Sequence, residues 1–135
     1  MQDHMKPRYL FHAGILAIIV CAGCATYSPS HSVRTIPFSP KVKSDVVLEA
    51  AIEAAQASKL PAMSNMDKAN GVVEFGAFGT PEMGLTAQAR VRSDNQVEIT
   101  VKRGSMFVPI KAESPADTFK TNLLERLEIL ERKAQ

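Results

Sequence analysis

The chain has 135 residues, 22% of them charged and 45% hydrophobic, which is room for one globular domain with a modest core plus a separable N-terminal segment. The formal net charge is +2, and because Lys6, Arg8 and Asp3 lie in the first 24 residues the remainder is close to neutral, which argues against a dedicated nucleic-acid surface. Both cysteines, Cys21 and Cys24, fall in the same segment and only His31 among the histidines lies beyond it, so the body has no His/Cys metal cluster.

Lys6 and Arg8 form a short positive region ahead of an apolar run, GILAIIVC (14–21), that is too short for a comfortable transmembrane span. Residues 1–23 therefore read as an export signal. A start at Met5 would place the positive charge at the very front, so Met1 and Met5 are both candidate initiators. The stretch Cys21-Ala22-Gly23-Cys24 resembles the lipobox of bacterial envelope lipoproteins, in which small residues precede a cysteine that receives the lipid. Cys21 stands where that pattern usually has Leu. A plain secretory signal, an uncleaved apolar anchor and a redox or metal CxxC pair are the alternatives; the last has no partner ligands in its apolar surroundings. The resemblance implies a thioether lipid on Cys24 and, because Ala25 is not Asp, the outer membrane, with the protein facing the periplasm.

Residues 24–43 read as the acylated cysteine and a flexible tether, with Pro29, Pro37 and Pro40, several serines and no sustained apolar period. In a polyproline-like conformation, at ~3.1 Å per residue, the nineteen residues from Ala25 would span roughly 60 Å. Ile36, Pro37 and Phe38 are an alternative reading of this segment as a partner-docking motif.

The domain, residues 44–135, is expected to begin with Ser44 as an N-cap ahead of Asp45. Leu48, Ala51, Ile52 and Ala55 recur at helical spacing and the helix is expected to end at Pro61. A short edge strand around Met63 and a turn through Gly71 follow. Val73, Phe75 and Ala77 then alternate with polar residues, as do Leu85, Ala87, Ala89 and Val91, and Val97, Ile99 and Val101. Residues opposite one another must share a face, so Val91 pairs with Val97 and Ala89 with Ile99, with an odd loop of Ser93, Asp94 and a left-handed Asn95. That register sets Arg90 opposite Glu98 as a surface ion pair. Ser114, Pro115 and Asp117 signal a second helix start, with Phe119, Leu123, Leu127 and Leu130 as its buried stripe and Glu128 and Arg132 as a surface pair. The expected fold is α+β: an N-terminal helix, an antiparallel meander of three to four strands and a C-terminal helix, both helices on one sheet face.

That element order behind a lipobox resembles the small helix-grip domains of envelope lipoproteins, including accessory lipoproteins of the outer-membrane β-barrel assembly machinery. The resemblance covers 44–135 and carries no specific motif, so no functional residue transfers from it.

Catalysis needs converging groups, and the single His, the turn serines and the outward acids do not converge in the pattern. Glu74 is the least ordinary acid, between Val73 and Phe75, yet alternation turns it to solvent. Arg90, Arg92 and Lys102 fall on the wet face, Arg103 does not, and Gln88, Glu98 and Thr100 dilute them into a solvated surface. Strand direction brings the two segments holding Phe78 and Met83, and Met106 and Phe107, to one end of the sheet. They read as a cap on the core or as an apolar partner-binding rim. The function expected is that of a lipid-anchored accessory module that binds an envelope protein. No enzyme activity, cofactor, metal or nucleic acid is expected. The alternative is a carrier of a small apolar ligand or lipid between sheet and helices.

Overall fold

Alternation along three strands puts Val73 and Phe75, Ala87 and Ala89, and Val97, Ile99 and Val101 on one side of an antiparallel sheet, each at most 1% exposed. The structure, a computed structural model, describes residues 27–78, 84–106 and 112–135, with side chains for 30–78, 84–104 and 112–135. The elements are β1 (Tyr27–Pro37), α1 (Ser44–Ala57), β2 (Met63–Asp67), β3 (Val72–Phe75), β4 (Gly84–Val91), β5 (Gln96–Met106) and α2 (Glu113–Lys133). The strands form one sheet in the order β1-β5-β4-β3-β2, antiparallel at every step.

The chain starts at one edge, crosses to the other through α1, and meanders back until β5 lies beside β1. The fold is α+β. α1 packs on β3 and β4, α2 on β1 and β5, and the helices on each other. α1 brings Ala50, Ala51, Ala54 and Ala55 to the contact, small side chains that let its backbone approach closely. α2 brings Phe119, Leu123 and Leu127, with Leu130 half-buried at its end. Phe119 meets Phe75 edge to face, ring centroids 5.9 Å apart.

The first element is a correction to the expected order. Residues 27–37 are not a tether but an edge strand that pairs along its whole length with β5, from Tyr27 opposite Met106 to Pro37 opposite Gln96. Alternation is absent from this strand because its inward positions are Ser30, Ser32, Arg34 and Ile36, and only Ile36 enters the apolar core. Two of the polar ones reach α2 or the residue ahead of it: the Arg34 guanidinium pairs with Asp117 at 2.9 Å, and Ser30 accepts the Ala112 N–H at 3.2 Å. Pro29 and Pro37 are tolerated because an edge strand needs only half of its backbone donors. A link of a few residues, held by the Glu131 carboxylate accepting the Ser39 N–H, then leads to α1.

The β4–β5 register is the expected one, with Val91 opposite Val97, Ala89 opposite Ile99 and Asn95 left-handed at φ 57°. The ion pair shifts by two residues: Arg92, not Arg90, reaches Glu98 at 3.7 Å and also meets Asp94 at 3.3 Å. Ser44 and Ser114 are not caps. They are the first residue of α1 and the second of α2, and neither helix start has a side-chain cap. α1 stops at Ala57, ahead of Pro61, where Lys59 turns left-handed (φ 59°) and the Leu60 and Lys59 N–H groups donate to Ala55 and Gln56. These crossed bonds satisfy carbonyls that a helix end otherwise leaves open, and Leu60 tucks into the core beside them.

Candidate functional site

Since both helices lie on one side, the sheet has a second face with no helix over it. Along it stand His31 and Val33 on β1, Thr100 and Lys102 on β5, Thr86, Gln88 and Arg90 on β4, and Glu74 on β3, as alternation requires. Val33 is 45% exposed there, the largest apolar exposure on that face among the described residues.

The end of the sheet at Met106 gathers several termini. Gly84 lies opposite Gly104, Tyr27 opposite Met106, and the Gly76 N–H donates to Ala62 O, which brings the segment after α1 to the same place. α2 starts there too, tied to β1 through Ser30. Of the residues expected to form a rim, Phe78 is described in full. Met106 is described in its backbone alone, as the last residue of β5. Met83 and Phe107, like Cys24, lie outside the described residues.

Phe78 does not cap the core between sheet and helices. It turns onto the helix-free face, where the Lys102 ammonium sits 4.0 Å from its ring centroid. At a partly exposed site such a contact contributes about 0.5–1 kcal/mol. The turn that carries it there needs Gly76. Its φ is +70°, the Phe78 N–H donates back to its carbonyl, and a Cβ at this position would lie 3.2 Å from both Pro61 and Thr86. Lys102 is flanked in register by His31 and Thr86, and Thr86 is only 5% exposed on a face that no helix covers.

At the opposite end of the same face a polar cleft of about 340 Å³ is lined by Asn65, Asp67, Asn70, Glu74, Gln88 and Arg90, with Val72 as its floor. The Asn70 side-chain amide donates to Asp67 at 2.6 Å and the Asn70 backbone N–H at 3.2 Å. These bonds hold the Asp67 carboxyl below the usual carboxylate range, the side-chain bond being the larger cause. Its role is legible as that of a turn residue, closing the link between β2 and β3 ahead of Gly71 at φ +66°. Glu74 faces this cleft opposite Gln88, as alternation requires. Among the described residues no three His, Cys, Asp or Glu side chains are grouped to hold a metal ion.

A third feature was not legible from the sequence. Ile52, Ala55, Leu60, Pro61, Met63 and Phe75 line a cleft of about 330 Å³ between the end of α1 and the β2 edge, with Met63 47% exposed at its lip. Its only linear signal was a methionine in a short polar strand. No family model and no curated protein matches this chain.

Proposed function

We propose that this chain is a lipid-anchored periplasmic binding module. In this reading Cys24 carries the acyl chains that hold it in the outer membrane, and the folded part acts as an accessory component of an envelope assembly through protein–protein contact. It uses no catalysis, cofactor, metal or nucleic acid. No helix among the described residues is long and apolar enough to cross a membrane. In this reading the attachment is the lipid on Cys24. The observation that carries the reading is the one-sided layer. Helices cover one face of the sheet, and the other presents a field of mixed charge, Glu74, Gln88, Arg90 and Thr100, beside Val33 on the β1 edge. Such a surface has no helix over it and offers an apolar point within reach of a partner.

Photo-crosslinkers at Gln88 and Thr100 on this face, compared with Glu49 and Glu125 on the helices, test the proposal in cells. A discrete envelope protein trapped from the sheet positions and not from the helices is the expected result. Equal labelling from both sides would sink it. Replacing Cys24 by Ser is expected to leave an unprocessed precursor without lipid, and normal lipid labelling of that variant would remove Cys24 as the acceptor.

The cleft at Met63 favours a second reading, that of a carrier for a small apolar ligand. Binding of a fluorescent fatty acid that is lost in Met63→Gln would move the assignment to it; no binding by the wild type removes it.

A further inference from the structure

The position of β1 has a consequence for how the domain meets the membrane, one that rests on the lipidation of Cys24 proposed above. A nineteen-residue tether would leave the domain free to face any way. Instead the strand starts at Tyr27, and Tyr27 is locked in register opposite Met106. Only Ala25 and Thr26 separate it from Cys24, a reach of at most about 11 Å over three steps of chain at ~3.3–3.6 Å per residue. The other end of β5, at Gln96, stands about 33 Å away along the strand at ~3.3 Å per residue.

We propose that the Met106 end of the sheet is the membrane-facing pole of this domain, and that Phe78 and Lys102 there contact the phospholipid headgroups of the bilayer that holds the anchor. The length of chain between the lipid and the strand selects the occupant, because an end held within about 11 Å of the bilayer leaves no room for a globular partner beneath it. The chemistry agrees. An aromatic ring with an ammonium on its face suits the boundary where one side is apolar and the other carries phosphates. Arg103 is the next residue, half-buried at the same end. Asp67 and Asp94 lie at the opposite pole, beside the β2–β3 and β4–β5 turns, while of the two acids at the start of α2, Asp117 is paired with Arg34 and Glu113 is exposed at the Met106 end. The remaining field, from Val33 to Arg90, is left open to the periplasm for the protein partner.

The test uses the full lipidated protein reconstituted into vesicles of phosphatidylethanolamine with a phosphatidylglycerol fraction and a headgroup-labelled acceptor lipid. Single cysteines for a donor dye go at Met63 and Ser114, near the Met106 end, and at Asp94 and Lys133, near the other. The expected result is a several-fold excess of energy transfer from the first pair over the second. Equal transfer, or the reverse order, overturns the orientation. Lys102→Gln is expected to lower transfer from the Met63 and Ser114 labels in phosphatidylglycerol vesicles and to leave it unchanged in purely zwitterionic ones; no change in either overturns the headgroup contact. The mass of the N-terminal peptide separates the two premises. A protein without acyl chains on Cys24 fails the lipoprotein reading itself, whereas an acylated protein with equal transfer fails the orientation alone.

Discussion

The two edges of the sheet are built in opposite ways. β1 is eleven residues long, carries two prolines and mostly polar side chains, and yet it is pinned: Ile36 is fully buried, and Arg34, Ser30 and the segment around Ser39 are each bonded to α2 or its start. β2 has five residues, none of them buried, a register shift between Met63 and Asn65, and mostly local support, the Ser64 hydroxyl donating to the carbonyls of Glu74 and Gly76 and Asn70 donating to Asp67. An edge strand is thus held less by its own β propensity than by what its inward side chains find on the covering layer. The difference also separates two uses of an edge. A short, shifted strand resists pairing with other chains, while a long one is safe when prolines remove donors from it.

The largest effect should come from removing the one apolar plug of β1. Ile36→Ala is expected to cost about 2–5 kcal/mol, as for other fully buried aliphatic truncations, whereas Met66→Ala on β2, half-buried, should cost well under that. Chemical denaturation of both variants measures the contrast, and equal losses would erase the distinction between the edges. Next in size, Gly76→Ala places a Cβ on a residue at φ +70° against Pro61 and Thr86. A loss of roughly 1–2 kcal/mol is expected, with release of Phe78 from Lys102 seen as a change in the Phe78 ring resonances.

A gain is expected at the end of α1. Lys59 holds a left-handed conformation without a functional contact among the described bonds, so Lys59→Gly should raise stability by about 1 kcal/mol, read from the denaturation midpoint. The polar latch on β1 is weaker. Arg34 and Asp117 are 27% and 64% exposed, so Arg34→Ala should cost only about 0.2–1 kcal/mol, and less at high salt. A salt-independent loss of several kcal/mol would make the latch, rather than Ile36, the main support of the strand.

The smallest effect belongs to the β2 side. Because the native Asp67 pKa is depressed, its contribution is present above the ordinary carboxylate pKa and fades as pH falls through the lowered native value. Asp67→Asn should therefore lose a little stability at neutral pH and converge with the wild type in acid. Parallel stability curves across that range would remove the charge-assisted turn from the account of this edge.

Much of the layer was legible because its signals are local or periodic. The stripes of α1 and α2 and the alternation of β3, β4 and β5 name their buried faces, and parity together with the turn chemistry of Ser93, Asp94 and Asn95 gives the β4–β5 register and the left-handed Asn95. Strand direction placed Phe78 at the Met106 end. Which side of the sheet it occupies was not legible, since that depends on the positive φ of Gly76 and its crowding by Pro61 and Thr86. The expected caps failed for a related reason: Ser44 and Ser114 have the right chemistry one or two residues too late, and the preceding loops set where each helix begins.

From the sequence alone came the α+β class, the order of the helices and the meander, and the pairing of β4 with β5, because hydrophobic period and face parity are properties of neighbouring residues. Only the tertiary structure turned a proline- and serine-bearing segment into the edge strand beside β5. Arg34 meets Asp117 across 83 positions and Ser30 meets Ala112 across 82, and the free energy of such contacts, found only once the chain is folded, leaves no period in the linear pattern.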